Sequence, residues 1–270
     1  GKNLSSLSPP GSAWQSDWCF CSMLPEIPIL LTGAFLAAFV TGAVGFGDAL
    51  VAISIWLYVL SPQEAVPLIV ACGAVMSIYS LLKLGRQLDY SKLPAFALAG
   101  AIGVPLGAWL LKFIAPDLFR TLTGGFLVAY AVLFLMARSL PHITAGGRAA
   151  DGVIGLIGGV MGGFAGLSGV VPTVWCGLRG WSKAMQRGTF QPFLAIMHTL
   201  ALISLTFNGL VTLETGARFL WCLPALIAGV WVGLKFYAHL DEILFRRVVL
   251  GILLISGIAL LISSGGNTHG

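Results

Sequence analysis

The chain has 270 residues, of which 57% are hydrophobic and 9% charged, with a mean hydropathy of +0.94. Soluble domains carry about 25% charged residues, so this composition excludes a soluble globular domain and describes an integral membrane protein. The net charge of +5 is scattered one to three basic residues per loop, which excludes a nucleic-acid surface and reads as a topogenic signal.

In chain order, residues 1–22 are rich in Ser and Pro, lack an initiator Met and precede MLPEIPILLTG. They read as a non-native or disordered tail ahead of a native-like start at Met23, with no cleavable signal peptide evident. A crossing needs about 20 apolar residues. Uncharged or nearly uncharged windows fall at 27–60, 62–82, 93–111, 118–137, 152–178, 188–213, 219–234 and 243–264. Their apolar runs are continuous rather than alternating, which predicts a helical bundle and not an outer-membrane barrel. Window 27–60 is too long for one crossing and carries TGAVGFGDALV at its middle.

The chain repeats itself. GVPLGAWLLKFIAPDLFRTLTGGFLV from Gly103 matches GVWVGLKFYAHLDEILFRRVVLGILL from Gly229 at a constant offset of 126. That alignment pairs Gly107 with Gly233, Leu118-Phe119-Arg120 with Leu244-Phe245-Arg246, and Gly125 with Gly251. GAVGFGDALV aligns more loosely with GFAGLSGVVP at an offset of 121. Glycine-rich membrane helices resemble one another at their contacts, but a shared offset through a basic Leu-Phe-Arg points to duplication, a habit of secondary transporters. The expected organisation is a first membrane repeat at 23–138, a cytoplasmic linker at 139–150, a second repeat at 151–264 and a tail at 265–270.

Charge decides between parallel and inverted repeats. If all eight windows crossed, seven basic residues would lie on one side and eight on the other. If windows 27–60 and 152–178 instead turn back at their glycines, eleven share one side against Lys112, Arg120, Arg218 and the tail Lys2. The positive-inside rule favours the second arrangement. The expected fold is therefore an all-α polytopic membrane protein of two inverted repeats, each a re-entrant broken-helix hairpin plus three transmembrane helices, with both termini outside.

Gly42, Gly45 and Gly47 permit the first break, because glycine accepts positive φ, and broken backbone at membrane depth survives only in a cavity or buried in protein. The second half-helices start at Asp48 and at Ser168 or Gly169. Their unpaired N–H groups and positive dipole ends form an anion site near the bilayer midplane. Asp48 reads first as a helix cap and alternatively as a proton-coupling group. A charge at the bilayer centre costs at least about 2.5–3.5 kcal/mol, so it must be paired, hydrated or protonated. His198, near the middle of window 188–213, reads as an interhelical hydrogen-bonding group or as a protonatable partner of the substrate.

GFGDALVAIS, GGFAGLSGVVPTV and RGTFQPF, set in this duplicated layout, resemble the TauE/SafE family of sulfite and organosulfonate exporters over nearly the whole chain after Met23. The resemblance implies a bacterial inner-membrane transporter of sulfite, sulfonates or related organosulfur anions. The family commonly has glycine where Asp48 stands, and a small hydroxyl residue where Phe190 follows Gly188-Thr189. The substrate-binding candidates are Gly45, Phe46, Gly47, Asp48, Gly166, Ser168, Gly169, Thr189, Gln191 and His198, with Arg187 at the cytoplasmic mouth and Asp48 and His198 for coupling.

The expected partners are a small organosulfur anion, protons as coupling ion and the lipid bilayer, with no nucleic acid, cofactor or metal. Cys19, Cys21, Cys72, Cys176 and Cys222 show no metal-ligand spacing beyond one Cys-Phe-Cys. An enzyme is disfavoured because no nucleophile, base or metal set is visible. The readings left open are a passive anion channel and uptake in place of export.

Overall fold

The computed structural model describes residues 26–44, 47–84, 93–136, 147–181, 183–236 and 242–266. Among these every regular element is helical: α1 (Ile27–Val44), α2 (Asp48–Trp56), α3 (Pro62–Leu84), α4 (Leu93–Phe113), α5 (Pro116–Met136), α6 (Gly147–Ala165), α7 (Val170–Leu178), α8 (Lys183–Phe207), α9 (Leu213–Phe236) and α10 (Glu242–Gly266). Six of them, α3, α4, α5, α8, α9 and α10, are long and apolar enough to cross a membrane. Lipid offers the backbone no hydrogen-bond partner, so continuous apolar runs must satisfy themselves as helices. α6 begins at Gly147, inside the 139–150 stretch expected as linker, and its first turns carry the buried Asp151 that accepts from Trp175.

The two remaining windows are broken helices. α2 and α7 have nine residues each, about 14 Å of rise and half a crossing. Each folds back beside the helix before it. Trp56 Nε1 donates to the Leu30 carbonyl at 3.3 Å, and Trp175 Nε1 donates to Asp151 Oδ1 at 2.8 Å. Each break thus returns the chain to the level at which its first helix began.

Polar contacts fix helix ends. Arg218 of α9 donates to Glu64 Oε1 at 2.8 Å and to Glu26 Oε2 at 3.4 Å, so the starts of α1, α3 and α9 share one end of the bundle. Gln63 reaches the Leu111 and Ile114 carbonyls, and Thr121 Oγ1 donates to Ser264 Oγ at 3.0 Å. The end of α4, the start of α5 and the end of α10 therefore lie at that same end.

The repeated glycines explain the pairing of the elements. Gly103 and Gly107 of α4 lie against Leu156 and Val160 of α6, leaving no room for a Cβ. Gly229 and Gly233 of α9 lie against Phe35 and Phe39 of α1 in the same way. Both offsets seen in the sequence reappear in these contacts, since Phe35 and Leu156 are 121 apart while Gly103 and Gly229 are 126 apart. In each pair the two helices run in the same direction. α4 starts at the end of the bundle opposite Arg218, so α6 starts there too, whereas α1 starts beside Arg218.

Candidate functional site

The first break closes on Gly47, which has φ 103° and stands as the N-cap of α2. Asp48 is thus the first helical residue and not the cap, which corrects the first reading of this carboxylate. A left-handed conformation is cheap only for glycine, so the cap position falls to Gly47. The carboxylate keeps its favourable place at the positive end of the helix. Gly45 and Phe46 lie outside the described residues.

The second break is built by Gly166, at φ 74°. Its N–H donates to the Gly162 carbonyl at 2.9 Å, and the Leu167 N–H donates to the Met161 carbonyl at 3.2 Å, which closes the last turn of α6 with glycine in the left-handed position. α7 then starts at Val170 with Gly169 as N-cap, one or two residues later than the sequence suggests.

The two tips meet. Gly47, Asp48, Ala49 and Leu50 from one, and Gly166, Leu167, Gly169 and Val170 from the other, line one cavity together with Leu194 and His198 of α8. It leaves about 20 Å³ for the centres of water-sized molecules, room for one water and not for an oxyanion. As it stands the cavity is too small for such an anion. A second, smaller cavity lies on the other side of Asp48, among Ala34, Ala37, Trp56, Cys72 and Met76. Asp48 stands between the two.

His198 is buried at 2% exposure. Its Nδ1 lies 3.0 Å from Ser77 Oγ of α3. The imidazole also lies against the backbone of Gly73 and lines the tip cavity with Asp48 and Gly166. Of the predicted residues, Gly47, Asp48, Gly166, Gly169 and His198 are therefore brought together. Ser168 is fully buried, but its hydroxyl lies over Gly162 of α6 and has no partner among the described residues.

Thr189 and Gln191 are buried on α8, about 13 and 10 Å along the axis from His198, and do not line the cavity. The Arg187 side chain lies outside the described residues, as do Cys19, Cys21, His142, His239 and His269. Ser77, Gly73 and Cys72 join the site without having been anticipated. A serine or glycine in an apolar helix carries no sequence signal of its own.

Six helices long and apolar enough to cross a membrane, with two half-helices whose tips meet at a cavity inside the bundle, make this a polytopic helical membrane protein. The chain matches the sulfite exporter TauE/SafE family over residues 30–260, and it belongs to that family. The family consists of membrane transporters of the sulfite and sulfonate type, not enzymes. Comparison with curated proteins and with solved structures finds no match.

Proposed function

We propose that this chain is a secondary transporter that exports a small organosulfur oxyanion, such as sulfite or a sulfonate, across a bacterial inner membrane. The anion binds near the bilayer midplane between the N-termini of α2 and α7, and two inverted repeats alternate its access. One observation carries this reading: two half-helix N-termini converge on one interior cavity beside a buried histidine. Each brings unpaired N–H groups and a positive dipole end. A cavity this small supports a carrier over an open channel. Binding of a panel of sulfur oxyanions to purified protein tests it, with sulfite or a sulfonate binding expected and no binding of any of them overturning it.

The inverted arrangement is supported by α1 and α6 starting at opposite ends of the bundle and by the eleven-to-four distribution of basic residues. It places both termini in the periplasm. Cysteines introduced at Gly146 and Gly180 are expected to react with an impermeant thiol reagent only from the cytoplasmic side. Labelling from opposite sides would mean that 147–178 crosses the bilayer.

A second reading, uptake with a proton, is favoured by the place of Asp48 beside His198. Export of an anion from an inside-negative cell is already downhill by about 2.3 kcal/mol per charge per 100 mV and needs no proton, whereas uptake against that field does. The Asp48→Asn substitution keeps the size of the side chain and removes its charge. Under coupling, its transport is expected to lose its pH dependence in proteoliposomes. A mutant that keeps the wild-type pH profile would remove Asp48 from any proton step.

A further inference from the structure

The chemistry at the two tips is unequal. At the offset of 121, Asp48 of the first tip corresponds to Gly169 of the second. α3 and α8 cross at the centre of the bundle, with Pro67 and Pro192 at matching places 125 residues apart. That same spacing relates Gly73 to His198, and these two residues touch. The imidazole occupies the room that its counterpart leaves empty. A Cβ at Gly73 would stand 2.9 Å from His198 Cε1, 3.0 Å from its Nε2 and 3.2 Å from Asp48 Oδ2. Nε2 and the carboxylate therefore both lie over the bare backbone of Gly73. One turn further along α3, Ser77 is buried at 5% exposure and holds the other ring nitrogen at 3.0 Å.

We infer that Ser77 is a positioning residue for transport: its hydroxyl holds the Nδ1 side of the His198 ring, and so fixes the imidazole over Gly73 at the cavity that Asp48 also lines. The inference rests on the reading of the tip cavity as the substrate site. A serine in a membrane helix ordinarily returns its hydroxyl to the carbonyl one turn back, as Thr199 does to Ala195 at 2.7 Å. Ser77 Oγ instead spans to a side chain 121 residues away. The described titratable groups around the ring are Asp48 of α2 and, beyond it, Cys72 of α3 with Cys222 of α9 against it. Gly166 contributes backbone alone.

Two measurements test this on the full chain in detergent and in proteoliposomes. Nitrogen NMR of ¹⁵N-histidine-labelled protein, with His198→Gln to assign the signal, reads the tautomer and protonation of this ring directly. Ser77→Ala is expected to shift the protonation equilibrium of His198 roughly fivefold, the scale of one hydrogen bond, and Ser77→Thr to restore it. An unchanged His198 signal in Ser77→Ala overturns the inference. Sulfite transport is then followed across pH: Ser77→Ala should displace the pH profile in the wild-type background and do nothing in the His198→Gln background. An equal effect in both backgrounds means that Ser77 serves packing alone, which also overturns the inference. If wild-type protein moves no sulfur oxyanion, the substrate reading fails separately, and the NMR result still decides the role of Ser77.

Discussion

Gly166→Leu is expected to abolish transport while leaving a folded, inserted protein. At φ 74° any side chain is strained, by about 1–2 kcal/mol for a residue other than Gly, Asn or Asp. A Cβ there would stand 2.7 Å from Ile69 Cγ2, and overpacking a filled interior adds roughly 1–3 kcal/mol. Such costs are local to a tip and small beside the helix pairing of the bundle. They fall, however, on the cavity wall between the two half-helix N-termini, where a leucine would occupy the space an anion has to enter. Gly166→Asn separates the two causes, because asparagine tolerates the left-handed conformation while still adding bulk. Loss of sulfite flux in both variants, with unchanged monodispersity in detergent, assigns the effect to space at the tip. Wild-type flux in Gly166→Leu would remove this tip from the transport path.

The first break was legible in the sequence because glycines and an aspartate inside a long apolar run contradict a simple crossing, and the second, at Gly166, followed from its alignment at the offset of 121 and from the count of basic residues. The conflict itself was the signal. Gly47, Asp48 and His198 were found by such a conflict, and the structure gathers them with Gly166 around one cavity. The two offsets were legible as spacing, and the contacts of Gly103 with Leu156 and of Gly229 with Phe35 fall at those same spacings.

Residues whose importance arises only from a distant neighbour were not legible. Ser77 gains its role from a ring 121 residues away. Gly73 matters because two side chains happen to lie over it. The cap of α2 was misassigned by one residue because an N-terminal aspartate and a glycine cap look alike until φ is known.

Arg218 is the plainest case of the same limit, since as a sequence feature it counts as one more charge near a helix start. In the bundle its side chain is 9% exposed and ion-paired to Glu64 at 2.8 Å, to Glu26 at 3.4 Å and to Glu214 at 3.9 Å. Glu64 divides its carboxylate: Oε2 accepts from the N–H and hydroxyl of Ser61 at 3.0 and 2.7 Å, while Oε1 takes Arg218. The Glu64 carboxylate thus reaches back to the Ser61 N–H as in the return half of a capping box, with Pro62 at the first helical position, so the start of α3 is held in place and offered to the guanidinium.

Arg218→Ala strips one cation from three carboxylates, and breaking a buried pair from one side costs about 3–5 kcal/mol. A smaller cost, roughly 1–2 kcal/mol, is expected here because the Glu64 and Glu214 side chains keep 40% and 50% exposure and can hydrate. Arg218→Lys should recover only part of it, since an ammonium lacks the planar fork that reaches two carboxylates at once. Adding Glu64→Gln to Arg218→Ala should lower the cost by removing one orphaned charge, whereas Glu64→Gln alone should destabilise. Unfolding of the detergent-solubilised variants, followed by tryptophan fluorescence, measures all four. A cost within about 0.5 kcal/mol for Arg218→Ala would put the cluster among ordinary surface pairs. A large cost would make it the clamp that ties the start of the first hairpin to α3 and α9. Those helices hold Cys72 and Leu226 on the wall of the smaller cavity beside Asp48. Opening that end of the bundle toward the site then requires the Arg218 contacts to separate.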